Sequence, residues 1–145
     1  PLSIEIMAQD TMQLVKALGL EQPIILGHSM GGLIAQVIAR DYRQEIGKLI
    51  IANSSMKLNL RSMLVLSSLL EIYHTNISVD TLIDASMSWF YSPDYLTPQN
   101  RAAYKEMCIN NPFSPSFELL SRQLKALAAF DSSAWVHQLS ISTLV

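Results

Sequence analysis

The feature that most constrains this chain is a glycine-rich run around a serine, which reads Gly27-His28-Ser29-Met30-Gly31-Gly32. An apolar run at residues 23–26 leads into it, and a long apolar stretch with helical periodicity follows it. This context predicts a strand, a very tight turn and a helix, with the serine at the apex of the turn. Side chains at positions 27 and 31 are expected to collide with the neighbouring strand or helix, so glycine is needed there. The turn would hold the hydroxyl clear of the sheet.

The same turn predicts a donor for a negatively charged oxygen. The backbone N–H of Met30 would lie at the N-terminus of the following helix, where unpaired N–H groups and the helix dipole stabilise negative charge. One short segment therefore predicts a nucleophile, Ser29, and half of an oxyanion hole. Gly27, Gly31 and Gly32 are expected to allow the tight turn that places both groups.

Composition narrows the class of protein. The chain has 145 residues, 50% of them hydrophobic and 15% charged, which is enough for a domain with a core. A net charge of −2 without a block of lysine or arginine gives no reason to expect nucleic acid or an anionic membrane as partner. The apolar runs are shorter than the roughly 20 residues that span a bilayer. Cys108 is the single cysteine and is expected to be a small buried hydrophobe, so neither a disulfide within the chain nor a metal site is predicted.

Apolar spacing predicts alternating helices and strands in the first third of the chain. A helix is expected over residues 4–18, with Ser3 as its N-cap and Gly19 as its stop. Residues 23–26 predict a strand buried on both faces, residues 33–39 a deeply buried helix, and residues 48–52 a second strand. Two strands joined by a helix within about 30 residues predict a parallel crossover unit.

Helical periodicity dominates residues 58–138 and predicts four or five helices. Breaks are expected at residues 76–78, 92–94, 97–98 and 114–115. The pairs Thr97-Pro98 and Ser114-Pro115 each predict an N-cap followed by proline at the first helical position. Residues 141–145 predict the start of another strand.

With this context in place, the run from Gly27 to Gly32 resembles the nucleophile elbow of the α/β-hydrolase superfamily. The resemblance implies an α/β fold, parallel strands flanked by helices with a helical cap inserted. It implies a core segment over residues 1–56, a cap over 57–139 and the start of the next core strand at 140–145. Only the middle portion of the fold is matched, so we expect the acid and histidine of the triad outside this chain. No cofactor is implied.

Within the superfamily, the likeness is closest to the 3-oxoadipate enol-lactonase and carboxylesterase-like hydrolases. It rests on three short matches: Ala52-Asn53-Ser54-Ser55 with Lys57, Trp89-Phe90 with Pro93, and residues 126–131 before Ile141. These matches are much less specific than the elbow.

A triad made within the chain is the alternative, since Ser29, Asp131 and His137 occur in the order that the superfamily uses. The resemblance instead places Asp131 and His137 in the last cap helix and its exit. His28 is expected to pack beneath the turn, and His74 has no clear catalytic role. Asn53 stands where some members carry the acid, but a neutral amide cannot stabilise an imidazolium as a carboxylate does.

A serine nucleophile suits attack on an acyl carbonyl, so esters, thioesters, lactones and activated carbon–carbon bonds are the expected substrates. Trp89, Phe90 and Phe130 are candidates for lining an apolar acyl pocket, although most aromatic residues of this region are expected in the core. Arg61, Arg101 and Arg122 are read as solvated surface residues, with binding of an anionic substrate as the alternative.

The sequence therefore predicts a serine hydrolase for carboxylic ester or lactone-type substrates. The alternatives are a non-catalytic module of the same fold, or another acyl or carbon–carbon hydrolase or perhydrolase. Residues 1–10 lack a secretory signal, which favours the cytoplasm, although an upstream segment could carry one. The strand at 23–26 has only one neighbour in the chain, so we expect association with the rest of the polypeptide or self-association through strand edges.

Overall fold

The computed structural model of the chain describes residues 1–75 and 77–145; Asn76, within the predicted break at 76–78, lies outside the described residues. Helices and strands alternate before a run of helices. The regular elements are α1 (Ile4–Ala17), β1 (Ile24–His28), α2 (Met30–Asp41), β2 (Lys48–Ala52), α3 (Leu60–His74), α4 (Val79–Phe90), α5 (Pro98–Ile109), α6 (Phe117–Ala129) and β3 (Thr143–Leu144). Short 3₁₀ turns occupy Arg43–Glu45, Pro93–Tyr95 and Val136–Gln138. No described helix combines the length and the apolar content that crossing a membrane requires.

The first helix begins and ends where the sequence predicts. The hydroxyl of Ser3 accepts a hydrogen bond from the N–H of Ile6 at 3.2 Å, which is an N-cap. Gly19 follows the helix with a φ of 63°, a conformation that glycine adopts without strain. The helix buries Ile4, Ala8, Met12 and Val15, so its apolar stripe faces the core.

The three strands form one parallel sheet in the order β1-β2-β3. β1 pairs with β2 in a register that runs from Ile24 opposite Lys48 to His28 opposite Ala52. The two strands therefore end at the same level, and the turns that follow them are neighbours. Among the described residues β1 pairs only with β2, so it is an edge strand.

The second helix covers one face of this sheet. A side chain at Gly27 would contact Ala35, which shows that the face of β1 carrying Gly27 lies against α2. Leu33, Val37 and Ile38 of α2 are almost completely buried, together with Leu49 of β2. The deep burial predicted for residues 33–39 is confirmed, with Ile34 only partly buried.

The opposite face of β1 is open, which corrects one prediction. Ile24 is 60% exposed and Leu26 is 64% exposed. Side chains alternate between the faces of a strand, so both residues point away from α2. No described element covers them. Burial on both faces was expected from their apolar character, but it requires a second layer of packing on that side.

The chain divides into two compact units. The core unit comprises Pro1–Asn59 with Lys125–Val145, and the helical unit comprises Leu60–Leu124. Within the described part of the helical unit, only Ile83 and Met87 are buried hydrophobic residues. Partly exposed ion pairs join α4 to α5, where Asp80 accepts hydrogen bonds from Arg101 and from Lys105.

Four α-helices occupy the described residues between 58 and 138, as the periodicity predicts. Thr97 is confirmed as an N-cap, because its hydroxyl accepts a hydrogen bond from the N–H of Asn100 at 3.2 Å. The cap predicted at Ser114 is wrong. Ser116 accepts from the N–H of Leu119 instead, and the Pro115 carbonyl accepts from the Tyr73 hydroxyl at 2.9 Å. Pro115 therefore lies before the helix and not at its first position.

Candidate active site

Ser29 lies between β1 and α2 in a strained backbone conformation, with φ 52° and ψ −120°. Non-glycine residues rarely adopt a positive φ, and such a conformation costs about 1–3 kcal/mol unless its surroundings hold it. Ser29 is exposed to solvent. The tight turn predicted from the glycine-rich run is confirmed, and it presents the serine to water.

Three hydrogen bonds hold the backbone of Ser29. Its N–H donates to the Ala52 carbonyl at 3.1 Å, which continues the β1–β2 ladder by one residue. Its carbonyl accepts from the N–H of Gly32 at 2.9 Å and from the hydroxyl of Ser54 at 2.8 Å. These contacts come from the neighbouring strand, the helix and the loop after β2, so three elements share in stabilising the strained turn.

Met30 is the first residue of α2, so its N–H is among the groups that no turn of the helix can satisfy. The first turn of α2 carries no acidic residue to offset the positive end of the helix dipole. The space beside Ser29 and the Met30 N–H is thus electrostatically suited to a negatively charged oxygen.

Two of the three glycines of the turn are required by close packing. A Cβ at Gly27 would contact the Gly31 carbonyl and lie 2.8 Å from the Ala35 Cβ, as predicted. A Cβ at Gly32 would lie 2.5 Å from the Ser54 hydroxyl oxygen. The collision predicted at Gly31 is wrong, because outside its own helix no described atom lies within 4 Å of a Cβ built there.

None of the three histidines hydrogen-bonds to Ser29 in the described structure. His28 is exposed on the open face of β1, so the expectation that it packs beneath the turn is wrong. The side chain of His137 lies beside Gln138, and the ring of His74 stacks on Phe117 with centroids 4.0 Å apart.

Asp131 is occupied by contacts of its own. Its carboxylate accepts a hydrogen bond from the N–H of Ser133 at 2.8 Å and pairs with the Lys57 ammonium at 3.2 Å. Hydrogen bonds from Ser133, followed by the contact with Lys57, lower the pKa of Asp131 to about 2. No hydrogen bond in the described structure joins Ser29, Asp131 and His137. Asn53, directly after β2, is exposed and has a φ of 49°.

The predicted pocket residues fall in different units. Trp89 and Phe90, at the end of α4, are more than half exposed. The Arg61 guanidinium lies 5.3 Å from the centre of the Trp89 ring. A shallow groove of about 370 Å³ is lined there by Leu60, Arg61, Leu64, Val65, Ser68 and Trp89. Phe130 belongs to the buried core of the core unit, in edge contact with Trp135.

The other candidate side chains have structural partners or lie at the surface. Arg101 pairs with Asp80 and Asp84, and these contacts lower the pKa values of both carboxyl groups. Arg122 is exposed. Cys108 is only half-buried, contrary to the burial expected.

Sequence reasoning missed two buried polar residues next to the turn. Gln36 is 2% exposed and Ser132 is fully buried, and the Ser132 hydroxyl donates to the Gln36 side-chain oxygen at 2.6 Å. A glutamine inside the apolar run of α2 was the available signal. Nothing local marks Ser132, because its partner lies 96 residues away.

The alpha/beta hydrolase fold family model matches residues 3–107, a range that contains the strand, the strained serine turn and the helix described above. The chain belongs to the α/β-hydrolase family. The match covers more than half of the chain, so the fold class implied by the elbow is confirmed.

Three similar proteins illustrate the relationship. The "Putative carbamate hydrolase RutD" of Caulobacter segnis is 23% identical over the whole chain, which covers 54% of that protein. The enol-lactonase from Burkholderia xenovorans LB400 superposes with a TM-score of 0.77 at 18% identity, covering 99% of this chain and 53% of the other. A thermophilic esterase from Thermogutta terrifontis gives 0.74 at 21% identity, with 98% and 52% covered. The chain thus spans about half the length of these relatives, and the two structures establish the fold alone.

Proposed function

We propose that this α/β-hydrolase chain supplies the nucleophile of a serine hydrolase that acts on carboxylic ester or lactone-type substrates. The observation that carries the proposal is the exposed Ser29, held at φ 52° directly before the N-terminus of α2. A strained backbone at an exposed serine has no evident value for packing. It is the geometry expected where strain serves to present a nucleophile.

The reaction would begin with attack of the Ser29 hydroxyl oxygen on the acyl carbonyl carbon. A base takes the hydroxyl proton as the new bond forms, and the carbonyl oxygen becomes negative beside the Met30 N–H. Collapse of this intermediate breaks the bond to the leaving alcohol, which receives the proton. Water then attacks the acyl-serine in the same way, releasing the acid and restoring the hydroxyl.

The base and its orienting acid are proposed to come from other residues of the full-length protein. In the described structure no histidine hydrogen-bonds to Ser29, and Asp131 is paired with Lys57. Serine without a base is a weak nucleophile at neutral pH, so the 145 residues alone should be nearly inactive.

The names of relatives point to several acyl substrates. An esterase and an enol-lactonase share the fold, and RutD relatives add carbamates, whose carbonyl is open to the same attack. The alternative is a non-catalytic module. It is favoured by the absence, in the described part of the chain, of a histidine bonded to Ser29.

We also propose that remaining segments of the full-length protein cover the open face and edge of β1. Exposed Ile24 and Leu26 are apolar residues on a free strand edge, which is a ready template for pairing. The chain spans about half the length of its relatives, which supports the remaining segments as the cover for this face.

A fluorophosphonate reagent tests the hydrolase proposal. It reacts far faster with an activated serine than with an ordinary hydroxyl, so the full-length protein should be labelled at Ser29 and should hydrolyse p-nitrophenyl acetate. Ser29→Ala should abolish labelling and reduce kcat by at least about 10³-fold. Ser55→Ala is the matched control, because its hydroxyl donates to the Lys57 carbonyl and not to the turn. Absence of labelling in correctly folded full-length protein would favour the non-catalytic module.

A further inference from the structure

The loop after β2, residues 53–57, lies beside the serine turn and is called the brace loop below. The register of the sheet explains this position. His28 pairs with Ala52, so Ser29 and Asn53 leave their strands at the same level. Both residues have positive φ values, 52° and 49°. The sheet therefore places two adjacent residues with positive φ where the reacting atoms would lie.

Ser54 makes the direct contact between the brace loop and the turn. Its hydroxyl donates to the Ser29 carbonyl at 2.8 Å. That carbonyl and the N–H of Met30 belong to one planar peptide group, so they point in opposite directions. A bond that fixes the carbonyl of Ser29 thereby fixes the direction of the Met30 N–H.

The brace loop is itself held from the interior. The Gln36 side-chain nitrogen donates to the Ser55 carbonyl at 2.9 Å and to the Gly32 carbonyl at 3.2 Å. The backbone N–H of Ser132 donates to the Met56 carbonyl at 3.0 Å, while the Ser132 hydroxyl donates to the Gln36 side-chain oxygen. Because Gln36 and Ser132 are buried, these hydrogen bonds face little competition from water.

We propose that Ser54 is a positioning residue that aims the Met30 N–H at the developing oxyanion, and that buried Gln36 and Ser132 hold the brace loop in place for it. The proposal rests on the hydrolase function above. Ser54 does not touch substrate or the Ser29 hydroxyl in this scheme. It acts through the peptide group between Ser29 and Met30.

The test compares Ser54→Ala with Ser55→Ala in the full-length protein. The two serines are neighbours in one loop, and only the Ser54 hydroxyl bonds to the turn. The first measurement, hydrogen exchange at the amides of Ser29 and Gly32, does not depend on activity. The Ser29 amide donates to the Ala52 carbonyl of β2 and the Gly32 amide donates to the Ser29 carbonyl. Ser54→Ala should make both amides exchange about tenfold faster, whereas Ser55→Ala should leave them unchanged.

The second measurement is the kinetics of p-nitrophenyl acetate hydrolysis. The negative oxygen exists only in the transition state, so Ser54→Ala should lower kcat about tenfold and leave KM within about twofold. A merely structural role would lower the thermal unfolding midpoint without this separation of kcat from KM.

Each outcome decides the proposal. Equal exchange in the two variants overturns it, as does an unchanged kcat in a wild-type protein that is active. If the wild-type protein is neither labelled nor active, the hydrolase function fails. The exchange comparison alone then decides whether Ser54 holds the turn.

Discussion

The two units of this α/β-hydrolase chain are stabilised in different ways. The core unit has a continuous buried cluster around α1, α2 and β2, together with a satisfied buried polar network at Gln36 and Ser132. Ile83 and Met87 are the only buried hydrophobic residues in the described helical unit, and partly exposed ion pairs join α4 to α5. Surface ion pairs contribute little stability, because water competes for both charges.

This difference matches the position of the strained backbone, which lies in the core unit. A strained serine persists only if its surroundings hold it, and dense packing with buried hydrogen bonds supplies that restraint. The helical unit carries no strained non-glycine backbone among its described residues.

The largest expected effect tests the close packing of the core unit. Gly27→Ala would force a methyl group against the Gly31 carbonyl and the Ala35 side chain, costing about 3 kcal/mol of folding free energy. Gly31→Ala is the matched control and should change stability by less than about 0.5 kcal/mol, since space is open there. Urea unfolding of the two variants measures the difference. Similar losses in both would show that the turn is not packed as described.

The second prediction concerns the open face of the core unit. The 145-residue chain should self-associate in sedimentation experiments, and Leu26→Lys should weaken association by about 2 kcal/mol by placing a charge on the exposed sheet. Leu64→Lys is a control of similar exposure in the helical unit and should have a smaller effect. A monodisperse wild-type monomer would argue against association through this face. A larger effect of Leu64→Lys would indicate that the chains associate through the helical unit.

The smallest effect is a pH dependence in the helical unit. Hydrogen bonds from Lys105 and Arg101 lower the pKa of Asp80. A carboxyl group whose pKa is lower in the folded state stabilises the fold above its unfolded pKa, and this contribution is lost as acid protonates it. The difference in thermal midpoint between wild type and Asp80→Asn should therefore shrink from about pH 6 to about pH 3, and also in roughly 1 M salt.

Asp94→Asn controls for the loss of one negative charge, since Asp94 makes no ion pair with the described residues. It should behave as wild type at both pH values. A midpoint difference for Asp80→Asn that stays constant with pH would show that the ion pairs do not stabilise the unit.

Local patterns were sufficient to predict much of the fold. β2 occupies the predicted residues, and the caps at Ser3 and Thr97 lie where hydroxyl residues precede apolar periodicity. The turn at Ser29 was predictable because glycine spacing and backbone strain are properties of a few adjacent residues. The chemical role of Ser29 stays a prediction.

Properties that depend on distant residues could not be predicted. The exposure of His28 and Leu26 depends on whether another layer covers that face, which their own sequence does not encode. A close neighbour was expected at Gly31, but the space there is open. Gly32 is the crowded position instead, because Ser54 approaches it from the loop that follows β2. The bond between Gln36 and Ser132 joins positions that no local pattern relates.

The hydrogen bond from the Ser132 N–H to the Met56 carbonyl has a consequence for which parts of the chain can vary. It joins Met56, near the point where the chain leaves the core unit, to Ser132, near the point where the chain returns. The ion pair between Lys57 and Asp131 joins the same two segments. The entropy cost of closing a loop rises only slowly with the length of the loop. An insertion between these two ends can therefore become longer, become shorter or be exchanged with little loss of stability in the core unit. The residues between these two ends can therefore differ while the contacts that join the ends are kept.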